Sequence, residues 1–80
     1  DLSDCRLREA SLVGADLREA VLQRADLTGV RSQNARLEGA DLRGARVDPT
    51  FWTTAKLRGA NVDIEQGLAF AAAQGLDIGG

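Results

Sequence analysis

A period of five residues runs from Leu2 to Val62 and decides what this chain can become. Thirteen residues stand at every fifth position from Leu2; nine are leucine, and the others are Ser32, Val47, Trp52 and Val62. Two residues before each, from position 5 onward, nine of twelve positions are alanine, with Cys5, Val30 and Thr50 as the rest. The remaining positions of each unit are polar, charged or glycine almost throughout. An α-helix advances about 100° per residue, so leucines five apart would wind around every side and form no stripe. A flat strand fails differently: Ala and Leu two apart share a face, but the next Ala, three further on, points the other way. The pattern fits a chain that bends once per unit and turns each Ala-x-Leu segment inward. Gly14, Gly29, Asn34, Gly39, Gly44 and Gly59 then stand at the corners, where a positive φ is cheap for these residue types.

Two odd members of the leucine column set the number of bends per coil. Ser32 is its polar residue and Trp52 its outsize one, twenty residues apart. Four bends per coil would stack them, the small side chain making room for the ring, with Val30 restoring volume. Leu22, Leu42, Ser32 and Trp52 therefore define the expected core. Thirteen units make about three rungs, rising roughly 16 Å at the usual strand spacing. Cys5, in an alanine slot, is expected to be a buried, inert thiol. Pro49 falls at a corner. Phe51 falls in an outward slot, either half covered by a helix at the C-terminal end or part of a contact surface.

The period stops after Val62, which divides the chain into a coil over 1–63 and a helix with tail over 64–80. Asp63 and Gln66 form a capping-box pair, and Gly75 is a plausible stop, so the spacing predicts a helix over 64–74. Ile64, Leu68, Ala71 and Ala72 would plug the open end of the coil, leaving Ala69, Phe70 and Ala73 off that face. A helix apolar on more than one side buries everything or finds a partner. Leu68, Phe70, Ala73, Leu76 and Ile78 are accordingly expected to form a homodimer interface.

Composition excludes much chemistry. With no histidine and one cysteine, the chain has no Cys/His zinc site, no internal disulfide and no Ser-His-Asp machinery. No catalytic, cofactor-binding or metal-ligating residues stand out, and the chain is not expected to be an enzyme. The net charge of −2 argues against binding nucleic acid. The longest apolar run, Leu68–Ala73, is too short to span a membrane. The chain opens on Asp1 and not Met, so its natural N-terminus is expected to lie upstream.

The units Ala15-Asp16-Leu17, Ala25-Asp26-Leu27 and Ala40-Asp41-Leu42-Arg43-Gly44 resemble the pentapeptide-repeat family, over about four fifths of the chain. That resemblance implies an all-β fold: a right-handed quadrilateral parallel β-helix with a short C-terminal capping α-helix. A closer likeness to the mycobacterial MfpA group rests on three stretches. These are Ala40–Ala45 with Val47-Asp48-Pro49 and Trp52, then Gly67–Ala73 running into Gly75-Leu76, and Cys5-Arg6-Leu7-Arg8-Glu9. The MfpA group and the Qnr proteins bind DNA gyrase and confer fluoroquinolone resistance.

The likeness implies a cytoplasmic rod that mimics duplex DNA, binds gyrase, inhibits it or protects it from fluoroquinolones, and dimerises tail to tail. Nucleic acid, membrane and small-molecule substrates are not among the partners it implies. Asp16, Asp26, Asp41, Glu19, Glu38 and Asp48 would form the anionic surface that the partner reads. The alternative for the aspartates is that they support the repeat backbone or solubilise a wall. Those relatives are longer, so their N-terminal coils would be missing here. The walls also mix signs: Asp16, Arg18, Glu19, Arg36, Glu38, Lys56 and Arg58 share one, and Arg6, Arg8, Glu9, Asp26, Arg46 and Asp48 another. A scaffold or adaptor for a different protein is the alternative function.

Overall fold

Each five-residue unit is a short extended segment closed by a tight turn. In the computed structural model, which describes residues 1–77 and 79, the alanine N–H donates back to the leucine carbonyl three residues earlier. Examples are Ala10 to Leu7 and Ala40 to Leu37, both at 3.0 Å. The residue before the alanine holds a positive φ, the signature of a type II turn. Glycine fills this corner at 14, 29, 39, 44 and 59, but Asp4, Glu9, Glu19, Arg24 and Asn34 adopt it as well. The mixture reflects stacking. A Cβ built on Gly29 would lie 3.1 Å from Glu9 Cγ, and one on Gly44 would lie 3.1 Å from Arg24 Cγ. A side chain in one rung therefore occupies the space that the glycine below leaves open.

Parallel bridges join residues twenty apart, as in Arg6 to Asp26 to Arg46 and Val21 to Asp41 to Asn61. Each leucine N–H from Leu2 to Leu42 reaches a carbonyl nineteen residues on (Leu2 to Val21 at 2.7 Å, Leu22 to Asp41 at 2.8 Å). The bridges are isolated, and no extended strand or sheet forms among the described residues. Four walls result. The first carries Val21, Asp41 and Asn61, the second Arg6, Asp26 and Arg46, the third Ser11 and Arg31, the fourth Asp16, Arg36 and Lys56. Inside, Leu22, Leu27, Leu37 and Leu42 are fully buried among Ala25, Ala35 and Ala40. Each such leucine stabilises the coil by about 1.5–3 kcal/mol. Leu2, Leu7, Leu12 and Leu17 are half-buried, and so is Cys5, where full burial was expected. Its slot lies in the same partly covered rung.

The third wall is broken, which the period of five did not announce. Phe51–Thr54 forms a one-turn helix, α1, where a strand bridge to Arg31 would fall. Phe51 is thereby not outward: it is 2% exposed, and its ring meets Trp52 edge to face at 5.4 Å. The cause lies just upstream. Pro49 has no N–H to give. Asp48 also accepts the Gly29 N–H on its carboxylate at 2.7 Å, where Thr28 accepts the Glu9 N–H on its main-chain carbonyl. The Asp48 carbonyl then takes the Phe51 N–H at 3.0 Å and starts the turn. Below it, the Ser32 and Thr54 hydroxyls share a hydrogen bond of 2.7 Å.

The second helix, α2, spans Ile64–Ala73. Asp63 caps it: Oδ1 accepts from Gln66 N–H at 2.8 Å, while Gln66 Oε1 accepts from Asp63 N–H at 2.9 Å. The second Asp63 oxygen takes the Gly44 N–H at 3.0 Å and ties the cap to the coil. The far end closes as a Schellman turn, with Gly75 at φ +80° and Leu76 N–H donating to Ala71 O. The docked face is largely the reverse of the one expected, Ala71 being the one residue of the expected four that is half-buried. Gln66 is buried, Phe70 meets Trp52 at 6.2 Å and Ala73 packs on the core, whereas Ile64 is 82% exposed and Leu68 and Ala72 also face outward. The main chain at the end of the coil explains this. Its Ala45 carbonyl lacks the next-rung N–H that Ala25 O takes from Arg46, and Gln66 Nε2 donates to it and, as a second donor beside the Ala45 N–H, to Leu42 O.

Candidate functional site

The candidate surface is the set of carboxylates on the walls, and the local turn geometry places most of them. Asp16, Asp26 and Asp41 each sit two residues before a main-chain N–H that they accept, from Arg18, Thr28 and Arg43 at 3.1–3.2 Å. Arg18 and Arg43 then fold back onto the same carboxylates with paired contacts of 2.7–2.9 Å. Gln23 adds a third donor to Asp41 at 2.7 Å. The Arg18 guanidinium holds the Asp16 carboxyl down at about 2, and Arg43 with Gln23 holds Asp41 lower still. Thr28 lowers Asp26, with Arg8 and Arg46 contributing from the same wall. In each case the charge is spent locally, on the chain's own donors.

The other three residues are placed differently. Asp48 is committed to the Gly29 N–H. Glu38 contacts Arg36 at 3.5 Å and leaves its other oxygen buried without a partner. Glu19 is exposed, its Cγ stacked over the Gly39 corner. Parallel bridging sets Asp16 above Arg36 and Lys56, and sets Asp26 between Arg6 and Arg46. The six carboxylates are therefore spread over the walls and interleaved with cations. All ten basic residues and ten of the twelve acidic ones lie within residues 1–63, so the coil is formally neutral.

The residues expected at a dimer interface divide between two faces of α2. Phe70 and Ala73 turn toward the coil, with Phe70 38% exposed, while Leu68 points outward and Leu76, beyond the end of the helix, is exposed. Ile78 lies outside the described residues. The core-defining set is inside: Leu22, Leu42, Ser32 and Trp52 are each at most 3% exposed. Sequence reasoning missed Gln66, Thr54 and Asp63 as the residues that join the coil to the elements interrupting it. The capping-box spacing was the signal for two of them.

Among the described residues, no three His, Cys, Asp or Glu side chains converge to hold a metal ion, and no helix is long and apolar enough to cross a membrane. A family model for pentapeptide repeats matches eight copies over residues 1–31 and 33–63. The chain belongs to the pentapeptide-repeat family. The match skips only Ser32 within that span, the one polar residue of the leucine column. No curated protein matches this pentapeptide-repeat chain.

Proposed function

We propose that this pentapeptide-repeat chain is a non-enzymatic, cytoplasmic binding protein that occupies DNA gyrase in place of duplex DNA, inhibiting the enzyme or shielding it from fluoroquinolones. We further read its coil as the right-handed quadrilateral β-helix of the family, capped by α2. The observation that carries the reading is the rod's elongated shape, with a main-chain trace 36 Å long and 21 × 20 Å across, close in width to a B-form duplex. The likeness of residues 40–45 and 67–76 to the MfpA group supplies gyrase as the target. A homodimer through the outward side of α2, with Leu68 at its centre, belongs to the same reading and would double the rod's length. Neither nucleic acid, membrane nor a small-molecule substrate has a place in it.

The formal neutrality of the coil favours a second reading, a scaffold or adaptor for another protein. A duplex substitute gains affinity from a continuous negative field, and the ion-paired walls supply little of one. A supercoiling assay separates the two. Inhibition by the purified chain at stoichiometric excess over gyrase is expected for the first; unchanged supercoiling at that excess removes gyrase and leaves the adaptor.

A further inference from the structure

Helix α2 crosses the end of the coil unevenly. It is anchored by Gln66 at the Leu42–Ala45 corner and by Gln74, whose Nε2 donates to Trp52 O at 3.1 Å. The end of the fourth wall, around Ala55–Gly59, stays uncovered. Two adjoining clefts of about 160 and 660 Å3 open there, sharing Trp52, Leu57 and Phe70 as their floor, with Ala60 and Val62 at one end and Leu76 at the other. In the rung above, Leu37 N–H donates to Lys56 O and Ala35 O accepts from Lys56 N–H, both at 2.8 Å. The equivalent groups of the last rung, Leu57 N–H and Ala55 O, have no backbone partner among the described residues. The rim is basic. Lys56 and Arg58 are exposed and make no ion pair among the described residues, Arg36 stacks above Lys56 with Glu38 beside it, and Asp16 and Glu19 lie one rung farther up the same wall.

We propose that this edge receives an extended segment of a partner protein, which adds one more rung to the fourth wall and carries acidic residues between apolar ones. The register of the coil dictates the pattern. A residue under Ala55 points inward and must be small, and one under Leu57 points inward and is large and apolar. Residues under Lys56 and Arg58 point outward, about 4.8 Å from those cations, where opposite charges pair across neighbouring strands. The segment therefore reads small–acidic–leucine–acidic. Main-chain bonds to Leu57 N–H and Ala55 O provide affinity, as in other cases of strand addition to an open edge, and the clefts and rim provide selectivity. The proposal is independent of gyrase binding; a negative supercoiling assay leaves it standing.

Trp52, the sole tryptophan, forms the floor of both clefts and reports occupancy by its fluorescence. The ligand for titration is a capped Thr-Ala-Glu-Leu-Glu-Gly peptide, against the same peptide with both glutamates replaced by lysine. A saturable change with the acidic peptide, at least about tenfold weaker with the basic one, is expected from two charge pairs reversed. N-methylation of the peptide backbone at the first glutamate, whose N–H is the one that donates to Ala55 O, should abolish the change. The double variant Lys56→Glu, Arg58→Glu should exchange the preference, and that reversal shows the variant to be folded. Equal response to both peptides, no response to either, or an acidic-peptide response unaltered in the double variant overturns the proposal. So does sedimentation as a dimer that the acidic peptide cannot enter, since a second copy would then occupy the edge.

Discussion

At the corner of each unit one backbone requirement meets two kinds of residue. Glycine there answers both a positive φ and the side chain stacked on it, whereas Gly14 answers the φ alone, with nothing within 4 Å of a built Cβ. In this chain Gly14→Ala should cost about 1 kcal/mol for left-handed backbone. Gly44→Ala should cost roughly 1 kcal/mol more for crowding against Arg24. Urea midpoints of the two variants measure the difference; equal losses would mean that stacking contributes nothing. The aspartates make a second test. Asp16 and Asp41 are depressed below the ordinary 3.8, so the stability they add is complete above that value and drains away as pH falls toward about 2. Urea midpoints should drop over that window, and less steeply in an Asp16→Asn, Asp41→Asn variant.

The two helices differ in how much of them the sequence disclosed. Asp63, Gln66 and Gly75 mark α2 because capping chemistry is local and carries its own spacing. Its docked face could not be read the same way. Counting apolar residues favours Ile64 and Leu68, but the coil's end presents carbonyls, and a buried glutamine satisfies them. Gln66→Ala should therefore cost about 2–3 kcal/mol, because the Ala45 carbonyl and the Asp63 N–H lose their partner together and the Leu42 carbonyl keeps only the Ala45 N–H. Release of α2 should appear as a red shift of Trp52 emission before the coil melts. Helix α1 was hidden for another reason: Phe51–Thr54 replaces a strand without adding a residue, so Trp52 and Leu57 keep their places in the period. Asp48-Pro49 was the available sign, since proline removes a ladder donor. The rung length was legible from Ser32 and Trp52, although the partner of the Ser32 hydroxyl is Thr54.

On the scale of the molecule, charge and apolar surface lie apart. The coil balances its charges, while exposed Ile64, Leu68 and Leu76 gather around α2. The pairing of acidic and basic residues was only partly visible in advance, since the sequence shows mixed walls but not which guanidinium folds onto which carboxylate. If copies associate through the outward side of α2, Leu68→Asp should sediment as a folded monomer. Phe70→Asp should instead lose about 2 kcal/mol through its contact with Trp52. A Leu68→Asp chain that still dimerises would move the contact elsewhere. The bridges between residues twenty apart also govern how such a rod can change length. Inserting a single five-residue unit ahead of Ser32 would give every later side chain a quarter turn against its upstream neighbours, setting Arg24 over Gly39 and parting Asp16 from Arg36. Inserting four keeps every side chain on its own wall, with the new rung lying between the former neighbours, so the heritable increment of length is a whole rung.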